Sequence, residues 1–221
     1  MTRSSARRPV LPASPAAGFT LIELLAVLLI LSILVAVLVS QLRDSQAAVN
    51  TETARQQLMT LEGAIRSYQN EFGAAPPSSF VPAQEVGNDG TNVGNEALVV
   101  ALWSKKYEAG GLLADVRDKL VNTDGDRSTK QLTDFDTREL LEIVDPWDNP
   151  IAYIERSDYA QTNRRYLTYE VESGQAVESV PQAYKNPSTG QYYNAQGFQL
   201  ISAGPDGRFG TDDDITPFER Q

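Results

Sequence analysis

An α+β fold built on one long N-terminal helix is what this chain predicts, and three observations carry the prediction. Residues 19–39 form an apolar run with a single charge, Glu23. Residues 41–72 come next with no Pro and one Gly, Gly63, and place Leu58, Leu61, Ile65, Tyr68 and Phe72 at spacings of three and four. That is the stripe of an amphipathic helix lying on a core. The remainder alternates polar, Pro- and Gly-marked loops with short apolar segments, the pattern of a small antiparallel sheet packed on the helix.

Taken in order, the first segment is a leader, residues 1–18. It holds Arg3, Arg7 and Arg8, no acid, and Pro9, Pro12 and Pro15, so it reads as basic and non-helical. A secretory signal places its small residues after the apolar region. Here Ala16, Ala17 and Gly18 precede it. A cut after Gly18 removes the leader, keeps the helix and makes Phe19 the new N-terminus.

Residues 19–40 are the second segment. At about 1.5 Å per residue, 21 residues span about 30 Å, the thickness of the hydrocarbon layer. A lone carboxylate in such a run is costly and marks a function. The basic leader predicts that the N-terminus stays cytoplasmic and the rest is exported. Residues 41–73 continue the helix as its amphipathic half. Gly73 is a natural stop, and Pro76 and Pro77 prevent continuation.

Residues 74–221 form the predicted globular ectodomain. Residues 74–94 read as loop, and Asn95 to Ser104 as a short helix capped by Asn95. A turn at Asp148-Asn149-Pro150 leads into a strand ending near Glu155. Arg165 to Val171 reads as a second strand, Ser173-Gly174 as a turn, and Gly197 to Ser202 as a third strand. Trp147 reads as a core anchor, with Pro146 and Pro150 shaping turns.

Composition narrows the function. The net charge is −10, and −13 once the leader is removed, with 16 basic residues against 29 acidic ones. An acidic ectodomain argues against nucleic-acid binding, which needs a basic stripe. With no Cys and no His, disulfides, thiol nucleophiles, Ser-His-Asp triads and the usual zinc spheres are excluded.

Four acids, Asp206, Asp212, Asp213 and Asp214, crowd the segment Ser202 to Ile215. Gly204, Gly207 and Gly210 permit tight curvature there. Crowded carboxylates repel unless a cation lies among them, and calcium takes six to eight oxygens from carboxylates and carbonyls. From spacing alone, a calcium loop and a solvated acidic turn both stand. A second segment, Asn122 to Asp126, places Asn122, Asp124 and Asp126 on alternate residues beside Gly125. It reads as a solvated loop or as the start of another cation loop closed by Asp134 or Asp136.

The run Gly18-Phe19-Thr20-Leu21-Ile22-Glu23 and its apolar helix resemble the class III signal of type IV pilins and type II secretion pseudopilins. The resemblance implies cleavage by a prepilin peptidase between Gly18 and Phe19 and methylation of the Phe19 amine. It implies that Glu23 neutralises the Phe19 amine of a neighbouring subunit during assembly. Opposite charges in low dielectric are tolerable when paired and expensive when alone. The C-terminal segment from Leu200 to Ile215 resembles the calcium loop of the major pseudopilin, the protein G family. By that resemblance Asp206, Asp213 and Asp214 would give side-chain oxygens, with backbone carbonyls near Leu200, Ser202 and Ala203 and with Asp212 as a further acid. Leu61 to Ser78 and Val144 to Tyr153 are similar to the same family. The chain departs from it at Ser40, where Pro is usual, at Ser32, where Gly is common, and in a longer region 78–140.

The resemblance implies a type IV pilin-like fold and a non-enzymatic structural subunit. It would be a single-pass protein of a bacterial inner membrane, with its ectodomain in the periplasm, assembling with copies of itself into a periplasmic pseudopilus. Minor pseudopilins and the inner-membrane secretion platform would be its partners. A type IV pilin or minor pseudopilin of a surface fibre is the alternative within the class. A membrane-anchored calcium-dependent binding domain or enzyme is the alternative outside it.

Overall fold

A computed structural model describes residues 18–80, 86–104, 107, 113–171 and 173–220. Residues 1–17 of the leader, with its three arginines, lie outside the described residues, as do parts of the loop 74–94 and of the polar segment after Ser104. The chain forms two compact units, one ending at Ser45 and one beginning at Gln46.

Helix α1 runs from Leu21 to Phe72, 52 residues, as the sequence predicts. In the first unit its apolar side chains are exposed all round, from Leu21 to Val39. Two polar groups inside this stretch satisfy themselves: Ser32 donates to the Leu29 carbonyl at 2.7 Å and Ser40 to that of Val37 at 2.9 Å. Self-satisfied hydroxyls are what an apolar solvent tolerates.

In the second unit α1 buries Ala54, Leu58, Leu61, Ala64 and Ile65. Tyr68 and Phe72 extend the stripe, each ring packing edge-on against Tyr107, with centroids 5.1 and 5.5 Å apart. Gly73 ends the helix with φ 78°, its amide donating to the Gln69 carbonyl at 2.8 Å.

Helix α2 spans Val93–Leu102 and packs on β3 (Ala152–Glu155). Its predicted cap is corrected. Asn92 begins the helix, and Asn95 lies inside it, buried. Asn95 donates to the carbonyls of Ile143 at 2.9 Å and Ile151 at 2.7 Å, and accepts from the Ile143 amide at 2.8 Å. A cap signal in sequence and a buried main-chain bridge use the same side-chain chemistry, and only packing separates them. Gly94 allows the approach, since a Cβ there would strike the Tyr153 carbonyl and the Tyr166 hydroxyl.

After the short α3 (Ala114–Arg117), the strands among the described residues pair as three separate antiparallel ladders. They are β1 (Leu120–Val121) with β2 (Glu142–Ile143), β3 with β6 (Phe198–Ile201), and β4 (Tyr166–Tyr169) with β5 (Ala176–Ser179). The three strands expected from sequence are β3, β4 and β6. Strands β1 and β2 are too short to leave a pattern, and β5 buries no residue, alternating exposed and half-buried positions. The ladder β3–β6 has a period of two. Tyr153, Phe198 and Leu200 face the main core with α1 and α2, while Ala152, Ile154 and Ile201 face a second cluster with Tyr159 and Tyr166. Trp147 packs against the main core, as expected.

Candidate functional site

At the N-terminal end, Phe19 is exposed and Thr20 immediately precedes α1. Thr20 donates to Glu23 Oε2 twice, from its amide at 2.9 Å and its hydroxyl at 2.7 Å. The Glu23 amide returns a bond to the Thr20 hydroxyl at 3.3 Å. This is a reciprocal capping box. Its signature, Thr20-x-x-Glu23, is present in the sequence, where the charge of Glu23 alone does not reveal it. The carboxylate is therefore held at the start of the helix, beside the point where processing would create an amine.

At the C-terminal end, the Ser202 and Ile215 main chains exchange bonds of 2.9 and 3.0 Å and close the acidic loop. Gly204, Gly207 and Gly210 all have positive φ. Two of them are also required by contact, as a Cβ on Gly204 would strike the Asp213 carbonyl and one on Gly207 the Tyr169 carbonyl. The loop is tied down from outside. The Thr168 hydroxyl donates to the Gly207 carbonyl at 2.6 Å, and that of Ser202 donates to buried Asp145 at 2.6 Å.

The four acids of this loop differ in what they face. The Asp206 amide donates to Asp213 Oδ2 at 3.0 Å, which brings those two residues together. Asp214 is buried, and its Oδ2 accepts from the Tyr184 hydroxyl and from the Gly210 amide at 2.8 Å. Its Oδ1 is buried with no partner. Burial pushes the Asp214 carboxyl up to about 6. Asp212 is exposed. Arg220 lies across the loop, donating to the carbonyls of Thr211 at 3.1 Å, Asp212 at 2.8 Å and Asp214 at 2.6 Å. Tyr184 and Arg220 leave no signal in the sequence, because no spacing rule links a tyrosine 30 residues upstream or an arginine beyond the loop to these acids. Asp206, Asp213 and Asp214 do not bring three carboxylate oxygens within 4.8 Å of one another, and the oxygen among them left buried without a hydrogen-bond partner is Oδ1 of Asp214.

Residues 14–39 match the prokaryotic N-terminal methylation motif. The chain carries a type IV pilin-like prepilin signal. No curated protein and no solved structure matches it. The exposed apolar half of α1 within this signal is compatible with a single-pass membrane anchor.

Carboxylates from separate elements also converge elsewhere in the chain. Among the described residues, the groups of three whose oxygens approach within 4.8 Å of one another are Glu96, Asp124 and Glu142, and Asp89, Asp124 and Asp126. Asp124 belongs to both. The segment Asn122 to Asp126 thus meets Glu96 and Glu142, while Asp134 and Asp136, the closing acids expected from sequence, stay outside both groups. Burial and mutual repulsion push Glu96 up to about 11, Glu142 to about 8 and Asp126 to about 6. Glu96 comes from α2, and Glu142 from a two-residue strand. No linear motif connects them.

Proposed function

We propose that the chain is a structural pseudopilin subunit, cut by a prepilin peptidase between Gly18 and Phe19 and assembled into a periplasmic pseudopilus of type II secretion. One observation carries this reading. The prepilin signal leads into a helix half that is apolar on every side and that nothing in the described chain covers. Such a surface has two stable environments, lipid and a bundle of identical helices. Transfer from one to the other by a repeated head-to-tail contact gives an open helical filament. Glu23, held by Thr20 in the single subunit, would exchange that contact for the methylated Phe19 amine of a neighbour.

Calcium in the 202–215 loop belongs to the same reading. Asp206, Asp213 and Asp214 would hold it with carbonyls near Leu200, Ser202 and Ala203, bracing the loop at the subunit surface. The subunit itself performs no catalysis and is a substrate of the peptidase.

Mass spectrometry of the mature N-terminus tests the processing step. The expected product begins at Phe19 and carries one added methyl. Assembly is tested by electron microscopy of periplasmic fibres in cells expressing the chain with a secretion platform. A mature protein that keeps its leader would sink the reading. Long surface fibres rather than short periplasmic ones would favour the pilin alternative.

A further inference from the structure

The five acids between α2 and the β1–β2 ladder have no cationic partner among the described residues. Glu96 and Glu142 are 0 % exposed, Asp124 and Asp126 are half-buried, and Asp89 stands at the surface. None of the five takes part in an ion pair there. The guanidinium of Arg165 reaches only the Asp89 carbonyl, at 3.2 Å, and pairs with Glu178.

Neutral donors orient these carboxylates without neutralising them. Asn92 Nδ2 reaches Asp124 Oδ2 at 3.2 Å and Glu142 Oε1 at 3.3 Å. The Thr123 amide donates to Glu142 Oε2 at 2.8 Å, and Asn88 Nδ2 to Glu96 Oε2. Asn122 shapes the loop instead of facing the cluster. It accepts from the Gly125 amide at 2.7 Å and donates to the Asp126 carbonyl at 2.9 Å, with Gly125 at φ 82°.

What remains unsatisfied is specific. Glu96 and Asp126 each keep one buried oxygen, Oε1 and Oδ1, with no hydrogen-bond donor, and Asp124 lies within 4.8 Å of both carboxyl groups. A buried carboxyl oxygen with no donor stays uncompensated until a proton or a cation reaches it. We propose that Glu96, Asp124 and Glu142, with Asp126 and Asp89 on the outer side, bind a calcium ion at a site separate from the 202–215 loop. Oxygen-only ligands from several carboxylates suit calcium. Magnesium keeps most of its water and is held by one or two protein carboxylates. The ion would join α2, the β1–β2 ladder and the loops 86–91 and 122–126 on the side where their carboxylates meet neutral donors.

The experiment uses the full chain in detergent, carrying Asp213→Ala and Asp214→Ala so that the C-terminal loop is removed from the count. Calcium chloride is titrated into the chelator-treated protein by calorimetry. One bound calcium is expected, with affinity lowered about tenfold or more by Asp124→Asn. Asp89→Asn, at the exposed edge where folding is not at stake, is expected to weaken binding by a smaller factor. Circular dichroism confirms that each variant is folded. Absence of calcium binding in this background overturns the proposal and assigns the cluster a shared proton instead. Equal affinity for the parent, Asp124→Asn and Asp89→Asn also overturns it.

Discussion

Ser202 and Asp145 meet at 2.6 Å across 57 residues of chain, hydroxyl to carboxylate, both fully buried. The same carboxylate accepts the amides of Trp147 at 2.9 Å and Asn149 at 3.1 Å. Asn149 in turn exchanges bonds with the main chain of Tyr169, at 2.6 and 3.0 Å. The Asp145-Pro146-Trp147-Asp148-Asn149 turn is therefore the junction on which β4, β6 and the acidic loop are set.

This junction predicts a pH dependence. Burial pushes Asp145 up to about 6, against the pull of Ser202, Asn149 and Trp147, with Asp148 adding to the rise. The folded state then holds the proton more tightly than the unfolded chain, whose aspartates titrate near 4. The stabilisation is complete below about pH 4 and is lost as the pH rises through about 6. Asp145→Asn should abolish that loss, so its stability relative to wild type should improve from pH 4 to pH 7 by on the order of 2–3 kcal/mol. Urea unfolding of the detergent-solubilised chain at the two pH values measures it. Parallel pH profiles for the two proteins would refute the assignment.

Gly94 is fixed by contact. Gly94→Ala would drive a methyl into the Tyr153 carbonyl and the Tyr166 hydroxyl, prising α2 from β3. A loss of about 1–3 kcal/mol is expected, read by urea unfolding. Gly63, where an added Cβ meets nothing within 4 Å, is the control, and Gly63→Ala should be neutral or stabilising.

Thr20 and Glu23 predict a separation of processing from assembly. Glu23→Ala should leave membrane insertion and cleavage intact while impairing filament formation, read by mature mass and by fibre counts. Thr20→Val keeps the carboxylate and removes the hydroxyl, so it should disturb assembly less. Wild-type fibre numbers from Glu23→Ala would remove Glu23 from the assembly contact.

The C-terminal loop predicts a calcium effect of its own. Asp213→Ala with Asp214→Ala should lower the melting temperature relative to wild type in calcium and by a smaller margin in chelator. The buried, partnerless Asp214 Oδ1 is the reason to expect a larger effect from Asp214 than from exposed Asp212, tested by the single variants.

Much of the fold is legible in the sequence because its signals are local and repeated. The apolar run, the stripe Leu58–Leu61–Ile65 and the stop at Gly73 define α1, and short apolar segments between turns mark β3, β4 and β6. The acids at 202–215 are legible as a group because the chain itself places them side by side. Asn95 reads as a cap from sequence, and wrongly, because its amide chemistry is the same in either setting.

Residue order alone determined the prepilin signal, the membrane-length helix and the amphipathic face below it, since each is a periodicity or a run along one element. Only the tertiary structure decided that Glu96 and Glu142 converge on Asp124, that Asp145 holds Ser202, and that Arg220 spans the acidic loop. Those contacts join elements far apart in the chain, and the free energy that brings them together is the burial of the shared core, which no short stretch of sequence records.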